Sequence, residues 1–372
     1  MTHEIKGVDG WVIRTPKERQ GVEEMRILLN DFEGDATLNT GDACLVRFLR
    51  AQHGHVNKAV KMFRNAAEWR KNKKPIEIAM RYDAPQVIRQ YRPGGILGRD
   101  KTGAPVFYDR IGQVDASIVK HCTKEELEHF EIQKQELLTE IFKKCSQVDG
   151  REHHQQLVVN DLAGLGMGHL SKNAISVVQA IIPVLDNYYP MRFTKMIIIN
   201  PPFVFNVGWN LIKPFINEST KAQIEVVQGD PSKILLQYID KDQLPKSLGG
   251  NLVINGDPYC GDIIIKGGKI PKDYQGYPAT YREDRTDLPM EILVPVRQSF
   301  KRPTPSEEPE LNFVASVSEW WTTTISSIND WVQNADAAEI ETNDEKLPEL
   351  KDEIPEEEIQ IPVSNNKCCV IC

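Results

Sequence analysis

Side chains able to do chemistry are thinly spread in this chain. In DLAGLGMGHL, Gly164, Gly166 and Gly168 follow an apolar run and precede a helical one, where a phosphate-cradling loop would sit. The spacing is G-x-G-x-G, one residue short of a dinucleotide fingerprint, and the next strand ends at Asn200 instead of an acidic residue for a ribose. His153 and His154 are adjacent and so point apart, with no cysteine or carboxylate at metal-ligand spacing; the expectation is a solvated loop and no metal. No Ser, Cys or His stands in a nucleophile-elbow or local triad motif. An enzyme and a cofactor are not indicated. What remains is the terminal CCVIC, where Cys369-Val370-Ile371-Cys372 fits C-a-a-X and Cys368 adds a second thiol. An apolar end on an acidic tail has no folding purpose, so lipidation (prenylation) of Cys369 is expected, with Cys368 as a further site.

The elements that would position such groups follow from composition. A chain of 372 residues holds one large or two small domains with a sizeable core. With 40% apolar and 26% charged residues, no basic-then-apolar leader and no run of 18 apolar residues, the expectation is a cytoplasmic chain without a spanning helix. Cys44, Cys122, Cys145 and Cys260 lack pair spacing, which suits reduced thiols. Residues 301–372 hold 5 Lys and Arg against 16 Asp and Glu, so of the total charge of −8 the first 300 residues carry +3. Within that basic part Arg64, Arg70, Lys71, Lys73, Lys74 and Arg81 gather near one helix end, either to meet anionic lipid or to complement the helix dipole. No base-stacking aromatic pattern accompanies them, and nucleic acid is not an expected partner.

Along the chain the apolar period changes once. Val22, Met25, Leu28, Leu29 and Phe32 form a helical stripe, DACLVRFLRAQ follows Asp42 as N-cap, and a third helix starts at Asn57, which makes residues 1–76 a small helical lobe. After a connector, RPGGILGRDKTGAP, strands PVFYDRI, QQLVVND, MIIIN and QIEVV alternate with helices, the pattern of an α/β domain over residues 77–250 with a mostly parallel sheet. After Pro201 and Pro202 stop a strand, FVFNVGWNLIKPFI presents Phe203, Phe205, Val207, Trp209, Leu211, Ile212, Phe215 and Ile216 with little polar interruption. Apolar side chains pointing both ways need two apolar partners. One is the sheet; the other is ordinary core, a lipid in a cavity, or a membrane.

LVRFLRAQHGHVNKAVKMFRNAAEWRK resembles the helical lobe of the CRAL-TRIO (Sec-fourteen-like) lipid-binding and transfer family. PVFYDRIG, VVNDLAGLGMGHL, NYYPMRFTKMIIINPPFVF, WNLIKPFINESTKAQI and LPKSLGG are similar to its lipid-binding domain, in order and spacing. The resemblance covers roughly residues 15 to 275 and is nearest to the animal branch, whose β-sandwich, the GOLD domain, is represented only by an extension at 251–300 that looks like its beginning. It implies one lipid wrapped in a cavity, placed on Phe107, Val158, Asn160, Tyr188, Met191, Ile198, Asn200, Thr220 and Gln223. It also implies a helical gate of Phe203, Phe205, Val207, Leu211, Ile212, Phe215 and Ile216. In phosphatidylinositol-transfer members a glutamate follows Y-P and acts with a lysine and basic residues. Here the equivalent positions are Met191, Gln223, Gln52 and His53, with Thr220 alone retained. A buried carboxylate and its lysine stand or fall together, so joint neutralisation implies a ligand other than phosphatidylinositol.

At the carboxyl end, Trp320, Trp321 and Trp331 fall with Phe313, Val317, Ile325 and Ile328 on one helical face in the 301–335 linker and helix, for insertion into a membrane or docking on the body. Residues 336–372 read as a disordered acidic tail. The expected protein takes a hydrophobic lipid as ligand, works at a membrane surface as a peripheral, lipid-anchored protein, and transfers the lipid. The alternative is a membrane-tethered adaptor whose bound lipid regulates a protein partner.

Overall fold

The computed structural model describes residues 12–283, apart from 92, 116, 262, 263, 265 and 266. Three helices open the chain. Helix α1 (Pro16–Leu28) starts on Thr15, whose side chain accepts from the Glu18 amide. Helix α2 (Asp42–Ala51) takes Gly41 as N-cap, and Asp42, expected there, is its first helical residue. The carboxylate is claimed instead by Arg19 and Arg26 of α1, at 2.7 and 2.5 Å; two guanidinium partners outweigh two backbone amides. Helix α3 (Val56–Lys73) begins one residue before the expected Asn57 and ends at Lys74, whose φ is 53°. Val22, Met25, Leu45 and Phe48 are buried between these helices with Phe63, whose ring meets Phe32 and Phe48 edge-on at 4.9 and 5.1 Å.

After α4 (Pro75–Arg81), β1 (Tyr82–Asp83) and α5 (Gln86–Tyr91) comes β2 (Gly94–Arg99), a strand inside the stretch read as a connector. Its glycines hide any alternation. They are needed, because Gly94 has φ 147° and a Cβ there would lie 2.9 Å from the Tyr108 carbonyl oxygen. Strand β3 (Pro105–Asp109) pairs with it antiparallel. Then follow α6 (Lys124–Asp149), opened by a Thr123–Glu126 capping box, β4 (Gln156–Asp161), α7 (Lys172–Tyr188), β5 (Phe193–Ile199), α8 (Val204–Ile212), α9 (Glu218–Lys221), β6 (Ile224–Val227) and α10 (Ser232–Tyr238). The sheet order is β2-β3-β4-β5-β6, parallel from β3 onward, with β7 (Thr280–Tyr281) paired separately to β1.

Alternation along the strands gives the sheet two apolar faces. On one, Leu157, Val159, Ile197 and Ile199 pack with Leu235 of α10 and with Leu244, Ile254 and Cys260. On the other, Phe107, Val158, Met196 and Ile198 meet Leu138, Ile141 and Phe142 of α6 and Phe205 of α8. The described part of the region resembling a sandwich start thus supplies Leu252, Ile254 and Ile264 to one face, while Ile270 joins a cluster around α5 and α7. Cys44, Cys122, Cys145 and Cys260 are free and buried, and burial pushes the Cys145 thiol up to about 12.

The helical lobe docks through a buried ion cluster. Arg70 meets Glu136 of α6 at 2.6 Å and Asp35 at 2.7 Å, while Thr37 and Tyr189 donate hydroxyl bonds to Glu136. Arg70 belongs to the basic group near the end of α3; within that group Arg64, Lys73, Lys74 and Arg81 are also in ion pairs, with Asp31, Glu128, Glu77 and Glu283. His153 and His154 are not on a solvated loop, at 4% and 7% exposure. His153 bonds Asp149 at 2.6 Å, and the charged groups around His154 are Arg47, Arg50, Arg14 and His153. Burial, with these cations adding to it, pushes the His154 pKa well below its ordinary value.

Candidate functional site

Helices α7 and α8 stand off the sheet and leave a cavity, walled by β4, β5 and β6 on one side and by the two helices on the other. Ile175, Val178, Ile182 and Leu185 supply the α7 wall at steps of three and four, a stripe that marks the helix's inner side in the sequence. The space open to the centre of a water-sized sphere is about 120 Å³, within about 930 Å³ of atom-free volume that includes the opening to solvent. From Phe193 to Ile198 the wall follows five residue steps of β5, about 17 Å at the usual strand rise.

The gate segment is set by the end of β5. Asn200 turns the chain with φ 52° and donates its amide to Asp161, which also accepts from the Ala163 amide, so that both strand ends are tied before Pro201 and Pro202. Helix α8 then buries Phe205 and turns Trp209 and Ile212 to the cavity; Ile216 follows on the same side. Its other side is bare: Phe203 is 89% exposed, and Val207, Leu211 and Phe215 are also exposed. Gly208 rests on Leu170, where a Cβ would come within 2.7 Å of the leucine Cδ2. Of the three glycines in DLAGLGMGHL, Gly164 serves the same kind of close approach, since a Cβ there would sit 2.6 Å from the Gly112 oxygen, whereas Gly166 and Gly168 face open space.

Of the positions named for the cavity, Asn160, Ile198 and Thr220 are on its wall. Phe107 and Val158 are in the filled core beside it. Tyr188 faces the helical lobe instead, stacked on Trp69 at 4.3 Å, because it lies on the last turn of α7. Asn200 is exposed. Met191 and Gln223 are half-buried at the amino-terminal edge of β5. Gln155 bonds the Met191 and Phe193 carbonyls, Gln223 bonds the Phe193 carbonyl, and Met191 has φ 55°. Gln52 donates to Met62 Sδ and His53 is exposed with φ 52°. Beside Met191, Arg192 is buried between the Phe142 and Tyr189 rings, both 5.6 Å away, and bonds the Gln135 carbonyl and the Thr139 hydroxyl. Burial and the neighbouring Arg47 lower its pKa to about 9.

The named positions did not include Asp186, which lines the cavity and accepts from Thr220 and from the Asn217 amide; burial raises its carboxyl. Among the described residues no group of His, Cys, Asp and Glu is placed to hold a metal, and no helix is long and apolar enough to cross a membrane. Cys368, Cys369, Trp320, Trp321 and Trp331 lie outside the described residues.

A helical lobe docked on an α/β domain, with an apolar cavity under a helix bare on its outer side, defines the class. A family model for the CRAL/TRIO domain matches residues 89–250, and one for the CRAL/TRIO N-terminal domain matches residues 22–65. The chain belongs to the CRAL/TRIO family. It is 29% identical over 234 residues to Protein real-time of Aedes aegypti, covering 61% of this chain and 35% of that one. It is 30% identical over 213 residues to Protein real-time of Anopheles gambiae, covering 56% and 31%. The chain thus spans about a third of the length of these relatives. A crystal structure of Sfh5 shares the fold at 16% identity, with a TM-score of 0.51 over 66% of this chain and 93% of that one.

Proposed function

We propose that the protein encloses one hydrophobic lipid in this cavity and exchanges it at membranes, with α8 as the gate. The observation that carries the reading is the two-sidedness of α8: Phe205, Trp209 and Ile212 face the cavity while Phe203, Val207 and Leu211 face outward. An exposed apolar helix face is costly in water unless it meets a bilayer when the gate opens. The CRAL/TRIO membership supports the same reading. The ligand is not phosphatidylinositol, because Gln52, His53, Met191 and Gln223 offer no carboxylate–lysine pair for an inositol phosphate. At the carboxyl end, Cys369, with Cys368 beside it, takes a lipid that holds the protein at the membrane together with Trp320, Trp321 and Trp331; a single chain binds reversibly, so a second contact is needed.

The test is transfer of labelled neutral-headgroup or apolar lipids, from phosphatidylcholine to a long-chain alcohol, and of phosphatidylinositol between vesicles by the purified full chain. Transfer of at least one of the former above phosphatidylinositol is expected; equal transfer would remove the selectivity. Binding without transfer, together with a lipid-dependent protein partner, would point to a sensing adaptor instead. Intact-mass analysis of protein isolated from cells, against Cys369→Ser, reads the anchor. An unmodified terminal peptide would end that part.

A further inference from the structure

Among the described residues, and besides the indole of Trp209, four side chains with polar ends line the otherwise apolar cavity: Asn160, His169, Asp186 and Thr220. Three of them are engaged. His169 Nδ1 accepts from the Gly166 amide at 3.0 Å and its Nε2 bonds the Val114 carbonyl at 3.1 Å. Thr220 donates to Asp186 at 2.8 Å, and the second Asp186 oxygen accepts from the Asn217 amide at 2.9 Å. Asn160 differs. It is 0% exposed, and among the described residues neither its Oδ1 nor its Nδ2 has a hydrogen-bond partner. Strand alternation puts it on the cavity side, on the same face as Val158, and in register with Ile198 of the wall. A buried amide left empty on both atoms is a substantial loss in an apolar setting, so it calls for a group brought in from outside.

We propose that Asn160 binds the polar end of a single-chain lipid, a small neutral group that both donates and accepts a hydrogen bond, such as a carboxylic acid or an alcohol. This deepens the reading of the cavity as a lipid site and rests on it. The amide offers one acceptor atom and one donor atom, which a protonated carboxyl group can meet at once through its two oxygens and a hydroxyl through its single oxygen. A charged group is disfavoured, since among the described residues no Lys or Arg lines the cavity. The narrow space of about 120 Å³, running about 17 Å along β5, suits one chain better than two. Asn160 lies near the carboxyl end of β4, beyond which come Leu162 and Leu165 of the wall, whereas Thr220 and Asp186 lie near the start of β6. The lipid therefore enters with its polar group toward the root of the gate, away from the corner of Gln52, Met191 and Gln223.

The experiment incubates the purified full chain with phosphatidylcholine vesicles carrying equal amounts of myristic acid, 1-tetradecanol, methyl myristate and tetradecane. Bound compounds are counted by mass spectrometry after re-isolation. The acid and the alcohol are expected at about tenfold over tetradecane, with the methyl ester, an acceptor only, in between. Asn160→Leu should bring the four close to equal, and Asn160→Ala, which withdraws the amide without supplying another polar group, should do so if the leucine variant fails to fold. Equal retention of all four by the natural protein would overturn the proposal, as would an unchanged preference in a folded variant. Retention of none, phosphatidylcholine included, would remove the lipid reading of the cavity itself.

Discussion

The two faces of the sheet are built from neighbouring residues of the same strands, yet one is closed and the other is hollow. Leu157, Val159, Ile197 and Ile199 meet a short helix, α10, and the chain that follows it, which fill their face. Asn160, Met196, Ile198 and Ile224 meet α7 and α8, which leave a cavity. Strand chemistry is much the same on both, so the cover decides the outcome. Helix α10 and the chain after it close their face, whereas α8 divides its apolar residues between the sheet and the solvent.

Charge should break the comparison most sharply. Ile197→Asp puts an unpaired carboxylate in the closed face and should cost several kcal/mol, enough against a total of about 5–15 kcal/mol to lose the cooperative melt. Phe203→Asp, at 89% exposure, should leave thermal unfolding nearly unchanged and reduce lipid loading from vesicles. Similar melts for the two would mean that the faces are not different in kind.

Volume gives a smaller and cleaner contrast. Val159→Phe overfills the closed face and should cost about 1–3 kcal/mol in denaturant unfolding. Ile224→Phe points into the cavity, where space is available, and should cost less than about 1 kcal/mol while lowering the amount of lipid retained. At the gate, Gly208→Val should crowd Leu170, hold α8 away from its closed seat and quicken lipid exchange between vesicles, with little change in melting. Unaltered exchange would mean that the Gly208–Leu170 contact does not govern closure.

The lobe junction should respond to pH more weakly. His154 has a folded pKa below its unfolded value near 6.5, so the unfolded chain binds the extra proton and stability falls as pH drops through that value toward the folded pKa. His154→Leu should remove this share of the acid loss, read as a smaller difference between denaturation at about pH 7.5 and about pH 5.5. An unchanged difference would assign the acid sensitivity to other groups.

Several of these features are legible in the residues themselves. The apolar strand of β5 stopped by Pro201 and Pro202 and the helical stripes of the lobe are local signals, and they appear where local chemistry puts them. Strand β2 was not legible, because Gly94 and Gly98 remove the side chains whose alternation would reveal it. Asp42 reads as a cap and is a partner of Arg19 and Arg26, a choice set by a helix that lies elsewhere in the chain. His153 and His154 read as surface and are buried for the same reason.

The sequence by itself determined much of the order of helices and strands and the apolar character of the segment after Pro202. These rest on residue type and on periods of two and 3.6, which act over a few neighbours. Only the tertiary structure decided that Val158 packs in core while Ile198 lines a cavity, that Tyr188 turns to Trp69, and that the buried Asn160 amide has no hydrogen-bond partner among the described residues. An apolar side chain reads alike whether it faces a filled core or a void. What distinguishes the two is the distance of the covering helix, which is set by contacts such as Gly208 on Leu170, thirty-eight residues apart in the chain.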